Sequence, residues 1–496
     1  MKHQVIAVLL SVATIWGCAD SRHRDNPAGQ SGADGATYSA TVYRTEGGIP
    51  HIVAGDWASL GYGTAYAAAR DHFCELSRNF LKFRARLAMT FGPGEGNLQS
   101  DLFFKLMVIE GLFDADIDPE FDALFEGYAA GFNRFVRDHR DDIEDPACAG
   151  ADWIPEVSRD DVRRIHLTPA FLPNFAPLIQ SAKPPVGGGA SVQASEDPVV
   201  LADYVGSLAN PDDKGSNGVA IGRELSSDGA GLLYTNPHLH WHGFDFRMYG
   251  FHQIIPGVTN LLGGNQAQRA NVGFGTNGDI AWTNTVSTSQ EIMFYQLQLV
   301  PGNPLAYTFD GAERNIEKSV VTVKVLGENG TITEHSHDFY HSHLGWMVGG
   351  NFPWTADRAV SLRIADERAR GFQGGALAMA RAGNVRELKA ALNTYQHTAG
   401  TNTIAADKFG EVLYGDLGPV VGFTDRQLAE CRIGGPLFRG DTSACEWGTD
   451  ADSAAPGLLG ASKQAHLFRT DYVTNSNDSF WLANPEAPLT DVPAVC

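Results

Sequence analysis

The sequence predicts an α+β chain with a mainly helical front, residues 37–182, and a β-rich back, residues 216–496. Three observations carry that reading. Apolar side chains recur twice at helical spacing in the front part. After Gly215 the apolar pattern alternates instead, with Asp-Gly and Asn-Gly turn signals between strand-like runs. Between the two parts lies "KPPVGGGASVQASEDP", a Pro-, Gly- and Ser-rich stretch that makes 183–215 an exposed linker, the kind of segment in which proteolysis is tolerated.

The bulk numbers fit a large folded chain. Of 496 residues, 43% are hydrophobic and 19% charged, which provides for a sizeable core and argues against disorder. Lys and Arg number 37 against 58 Asp and Glu, a formal charge of −21. Such a field repels phosphate backbones and anionic lipid surfaces, so no nucleic-acid partner is expected.

Residues 1–18 read as a signal peptide: a Lys-bearing start, then an apolar run from Val5 to Trp16 too short to span a bilayer. "IWGC" is similar to a lipobox, which would make Cys18 a lipid anchor; ordinary cleavage nearby is the alternative. Export to the periplasm is expected either way. A polar, Gly-rich lead-in, 19–36, follows. "ATVYRTEGGIPHIVAGD" alternates like two strands around a Gly-Gly-Ile-Pro turn. Phe73, Leu76, Phe80, Phe83 and Leu87 then form one helical stripe. A second helix begins at "DPEF", where Asp118 caps and Pro119 fills the first turn; its aromatics read as core. In the back part, "RAGNVRELKAALNTY" is a capped amphipathic helix. Export permits disulfides. Cys431 and Cys445, flanking a Gly/Pro-rich loop, are the best pair, and Cys74, on an apolar helix face, reads as a buried thiol.

The chemistry centres on "DDKGSNGVAIG". Ser216 is either a turn residue or a latent chain end, exposed when the Gly215–Ser216 bond is cut. "NGVAIG" and "GLLYTNP" flank an Asp228-Gly229 turn signal, and a hairpin centred at Ser227 sets His238 beside Ser216. A second hairpin, "NVGFGT" and "DIAWTNTV" around Asn277-Gly278, leaves the backbone of Thr285, Val286 and Ser287 at a strand end, where N–H groups can become anion donors. In "TNSNDSFW" an amide held among aromatics is a further donor; Asn477 is the choice, although Asn475 or a simple turn fits the pattern too.

Taken together, "VYRTEGGIPHIVAGDWASLGYGTAYAAARDHFCEL", "GSNGVAIG", "NPHLHWHGFDFRMYGFHQIIPG", "GFGTNGDIAWTNTV" and "NSNDSFWLANP" resemble the penicillin acylase family of N-terminal nucleophile hydrolases. The likeness is greatest to its aculeacin A acylase and acyl-homoserine lactone acylase branch, which also carries His in the "NPH" segment, and it covers most of residues 38–490. It implies an αββα sandwich and self-cleavage between Gly215 and Ser216. A spacer would be removed, leaving an α/β heterodimer from one precursor. It further implies that Ser216 is the nucleophile, with its freed α-amino group as base. His238 would orient the nucleophile, and the Val286 N–H and the Asn477 side-chain amide would form the oxyanion hole. An α-amine titrates near ~7.7–8.0, far closer to neutrality than lysine, which suits that task. The implied substrate is a small N-acyl amide with an apolar fatty or aromatic acyl group: an acyl-homoserine lactone, a lipopeptide or a penicillin.

Two departures accompany the resemblance. Family members continue far beyond the Asn477 segment, whereas this chain stops soon after it, at Cys496, so the sandwich is expected to be incomplete at the C-terminus. A catalytically inactive remnant or one half of a split acylase is therefore the alternative. The positions matching the calcium ligands of penicillin G acylases are Gln290, Ile292 and Met293, so no calcium is expected there. His238, His240 and His242 alternate, as do His335 with His337 and His341 with His343, but no His-Glu-x-x-His accompanies them. Neither a metal nor another cofactor is expected.

Overall fold

The computed structural model describes residues 24–25, 30–31, 37–170, 172–185, 215–239, 244–367 and 372–496. The expected signal peptide, most of the lead-in, most of the linker, and His240 and His242 lie outside the described residues.

The front part opens with an antiparallel pair, Ala40–Arg44 and Pro50–Ala54, turned by Gly47 and Gly48 at φ 91° and 82°. Asp56 caps the next helix, Trp57–Phe83, by accepting the Ser59 N–H. The expected stripe of Phe73, Leu76, Phe80 and Phe83 is buried on that helix. Leu87 is buried too, but the chain turns through Ala85 at φ 56° and Leu87 starts a separate short helix, Leu87–Phe91. Asp118 caps Pro119–His139 by accepting the Glu120 N–H. The two long helices cross closely: a Cβ on Gly127 would stand 1.7 Å from the Ala58 carbonyl oxygen, and one on Gly131 2.1 Å from that of Tyr62. One disulfide corrects the sequence reading. Cys74 is bonded to Cys148, fixing the first long helix to the loop after the second; a separation of 74 residues leaves no local pattern to reveal the pair.

The back part joins the front through a parallel pairing of Pro50–Ala54 with Met248–Ile255. Those strands belong to a ten-stranded sheet that runs on through Thr259–Gln266, Phe274–Thr276, Ile280–Val286, Thr401–Asp407, Val412–Gly415 and His466–Arg469. A smaller sheet orders Tyr472–Asn475, Gly215–Ile221 and Leu232–His238, with the strand that carries Ser216 in the middle. Alternation decides how the layers stack. Ile404, Ala406, Val412 and Tyr414 face the small sheet and share a core with Ala220 and Val473. Ala405 and Leu413, on the opposite face, pack with Val385, Leu388 and Leu392 of the helix Val385–Tyr395, whose cap is Asn384 as expected. Helix, large sheet and small sheet thus form successive layers. On the outer face of the small sheet Leu232 and Tyr234 are 53% and 54% exposed.

A separate nine-stranded sheet includes Ile292–Val300, Arg358–Ile364 and the long hairpin Glu317–Leu326 with Ile332–Ser342. Its core takes in the second disulfide, Cys431–Cys445, the pair expected from the sequence. Among the described residues no helix is long and apolar enough to cross a membrane.

Candidate active site

The serine hairpin forms with a one-residue offset from the expected pairing. Ser216 lies opposite Pro237, and His238 lies opposite Gly215, because the loop 222–231 is centred between Ser226 and Ser227. The His238 Nε2 is 3.4 Å from the Asn217 side-chain nitrogen. Ser216 is buried and its backbone N–H donates to the Asn477 Oδ1 at 2.8 Å. Its hydroxyl donates to the Gly215 carbonyl oxygen at 2.5 Å. A Cβ on Gly215 would meet the Asn477 Oδ1 at 2.8 Å and the His238 Nδ1 at 3.7 Å, so both side chains border the Gly215–Ser216 bond.

Val286 and Asn477 approach the same place from different sheets. The Asn277-Gly278 turn precedes the Val286 strand, but only Gly278 has positive φ, 91°. Asn277 acts through its side chain instead, accepting from the N–H groups of Asp279 and Ile280 and donating to the carbonyls of Ala380 and Ala382. An Asx turn thus stands where Asn-Gly ordinarily forms a two-residue mirror-image turn with both residues at positive φ. At the strand's far end the Val286 carbonyl accepts from the Asn402 Nδ2 at 3.0 Å and lies 3.4 Å from the Asn477 Nδ2. Asn477 has φ 74°, in the left-handed region that Asn tolerates better than most residues, and its N–H donates to the Asn475 Oδ1 at 2.9 Å. Of the two amides left open by the sequence, Asn477 borders Ser216 and Asn475 stands behind it.

A cavity of about 370 Å³ opens on this cluster, with Ser216, Pro237 and Val286 in its wall. Leu239, Phe246, Met248, Val272, Phe274 and Trp282 make much of the lining apolar, and Leu112 and Leu167 of the front part close it from the other side. His166 also lines it. Burial holds that imidazole down at about 3, hence neutral; its Nε2 accepts the Ala270 N–H and its Nδ1–H donates to the Val162 carbonyl, so neither nitrogen is available for proton transfer.

Among the described residues, His335, His337, His341 and His343 form no metal-ligand group. His337 bonds the Gln180 carbonyl, His341 lies 3.7 Å from Glu317, and His343 meets Tyr307 and Glu446. Among the described residues no three His, Cys, Asp or Glu side chains group as metal ligands. Gln290 turns its side-chain N–H onto the Ile292 carbonyl, and Met293 is buried against the Trp447 indole N–H.

The family model described as penicillin amidase matches residues 39–494. The chain belongs to that family. It is 34% identical to "Acyl-homoserine lactone acylase PvdQ" of Pseudomonas fluorescens (strain Pf0-1), over 96% of this chain and 62% of that protein. It is 32% identical to "Aculeacin-A acylase" of Actinoplanes utahensis, over 95% of this chain and 62% of that protein. The chain therefore spans 62% of the length of each of these relatives. Among solved structures, thermostable penicillin G acylase from Alcaligenes faecalis (orthorhombic form) aligns with a TM-score of 0.43 at 20% identity, covering 56% of this chain and 46% of that one.

Two sets of residues around this candidate site escaped the sequence. One is the pair Asn402 and Tyr414, which join Thr285 and Asn475 in a polar set behind Val286 and Asn477. The signal for Asn402 was a polar residue at an inward strand position in "TNT"; Tyr414, in "VLYG", gave none. The other is a pair of buried carboxyls. Asp416 accepts the Ser287 hydroxyl, and burial pushes it up to about 7. Glu291 accepts the Gly400 N–H and is pushed well above the ordinary carboxylate range, again chiefly by burial. Since the Ser287 N–H donates to the Gly400 carbonyl, both carboxyls brace the turn after Val286.

Proposed function

We propose that this chain is an N-acyl amide hydrolase that works from Ser216 after cutting its own Gly215–Ser216 bond. The observation that carries the reading is the convergence of Gly215, His238 and Asn477 on Ser216 in the wall of an apolar cavity. In the uncut chain the Ser216 hydroxyl attacks the Gly215 carbonyl carbon, the C–N bond breaks, and the acyl group moves to Oγ while the nitrogen becomes a free α-amine. Water then hydrolyses the ester, leaving the Gly215 carboxylate and the Ser216 hydroxyl.

In turnover the amine, acting through a water, removes the Oγ proton as Oγ attacks the substrate carbonyl. The Val286 N–H and the Asn477 Nδ2 stabilise the oxyanion, and the proton passes to the departing amine. A second water releases the acid from the acyl-serine. His238, opposite Gly215, orients the serine. The cavity's apolar lining supports a fatty or aromatic acyl group, as on an acyl-homoserine lactone, a lipopeptide or a penicillin.

After cleavage the halves, with a spacer within 183–215 removed, stay together as an α/β heterodimer. The parallel strand pairing and the ion pairs Lys82–Asp245 and Arg247–Glu75, each 2.6 Å, support that. The helix–sheet–sheet layering fits three layers of an αββα sandwich. Two disulfides favour an oxidising compartment, in keeping with export to the periplasm and lipidation at Cys18 or soluble release.

Replacing Ser216 by Ala tests the proposal. The variant is expected to stay uncut and to hydrolyse no acyl amide; an active S216A enzyme would remove Ser216 from the chemistry.

A further inference from the structure

We propose that Asn475 is a positioning residue that sets Val286 and Asn477 at their working separation around Ser216. This rests on the hydrolase reading above. The Asn475 Oδ1 accepts two close bonds, from the Thr285 hydroxyl at 2.6 Å and from the Asn477 N–H at 2.9 Å, and a longer one from the Asn402 Nδ2 at 3.4 Å. The first donor adjoins Val286 on the large sheet, and the second belongs to the turn leaving the small sheet. One atom therefore ties the two elements together. The backbone of Asn475 adds a third tie, because it pairs with Gly218 two residues along the serine strand.

The amide's orientation is fixed by its neighbours. The Asn477 N–H can only donate, so oxygen faces it, and the Asn475 Nδ2 is left to donate to the Asp478 carbonyl at 2.8 Å. Further back, the Tyr414 hydroxyl donates to the Asn402 Oδ1 at 2.8 Å. The Asn402 Nδ2 reaches the Thr285 hydroxyl oxygen at 3.2 Å and the Val286 carbonyl at 3.0 Å. Thr285, Asn402 and Asn475 are all at most 2% exposed, so water does not substitute for a lost partner. Removing the Asn475 oxygen strands the buried Thr285 hydroxyl and frees Asn477 from the contact that supports its left-handed backbone.

Two arms test this on the full chain. The first needs no catalysis: in the Ser216→Ala background, the Asn475→Ala change is expected to raise hydrogen exchange at the Asn477 amide by about tenfold or more, as a broken local bond does. The second uses a decanoyl para-nitroanilide with Ser216 in place. There Asn475→Ala is expected to lower kcat and self-cleavage by about 100-fold with KM little changed, the cost of a small misplacement. Asn475→Asp keeps the acceptor but opposes a carboxylate to the Asp478 carbonyl. Its rate relative to wild type is therefore expected to rise as pH falls and the buried acid is protonated. A lowered melting temperature with kcat unchanged, or unaltered exchange, would overturn the positioning role. Wild-type protein that is uncut and inactive would instead sink the hydrolase reading, and the exchange arm would still decide the inference.

Discussion

The Ser216 N–H donates to the side-chain oxygen of Asn477 at 2.8 Å, across 261 positions of sequence. The nitrogen in that bond is the one that self-cleavage would release as the catalytic amine. Asn477 therefore acts on both reactions. Asn477→Leu is expected to slow self-cleavage and to lower kcat by roughly 10²–10³, the usual cost of an oxyanion donor, about 2.7–4 kcal/mol. Timed gels and steady-state kinetics measure the two effects; unchanged kcat in a cleaved variant would place the oxyanion elsewhere.

Gly215 is the second test. Its missing Cβ leaves room for the Asn477 carboxamide, which a methyl would meet at 2.8 Å. Gly215→Ala is expected to delay self-cleavage while barely moving the melting temperature, since the clash is with a side chain at the cleavage point. Cleavage at the wild-type rate would show that the carboxamide yields without consequence.

Asp416 links the site to pH. Its buried carboxyl is raised to about 7, so the folded state prefers it protonated. Its stabilising contribution is complete below the unfolded carboxyl's pKa of about 3.9 and declines until pH passes about 7. Asp416→Asn is expected to raise the melting temperature at pH 8 and to do so less at pH 4. Melting curves at both values decide it, and an equal shift at both would show that ionisation of Asp416 does not matter.

The two disulfides differ in reach. Cys74–Cys148 closes a loop of 74 residues, and on the chain-entropy view Cys74→Ser costs about 4 kcal/mol; for the 14-residue separation of Cys431–Cys445 the figure is about 3 kcal/mol. Chemical denaturation of the single variants ranks them. A larger loss at Cys431 would mean that packing in the second sheet's core, not chain entropy, sets the order.

Much of this fold was legible because local signals agreed with it. Asp118-Pro119 started a helix, Asn384 capped one, and the Asp228-Gly229 turn brought His238 within one residue of its pairing with Ser216. Illegible features depended on distant partners. Cys74 gave no hint of Cys148, and Asn475 could not be separated from Asn477 until the small sheet placed one beside Ser216 and the other beneath it. Asp416 and Glu291 read as ordinary acids, because nothing in their neighbouring residues announces burial.

The decisive measurement is the intact mass and N-terminal sequence of purified protein that hydrolyses an acyl amide. The expected sample holds a fragment beginning Ser-Asn-Gly-Val, with its amine free beside the hydroxyl it activates. Full activity in one continuous polypeptide would contradict the mechanism, since Ser216 would then have no amine to serve as its base.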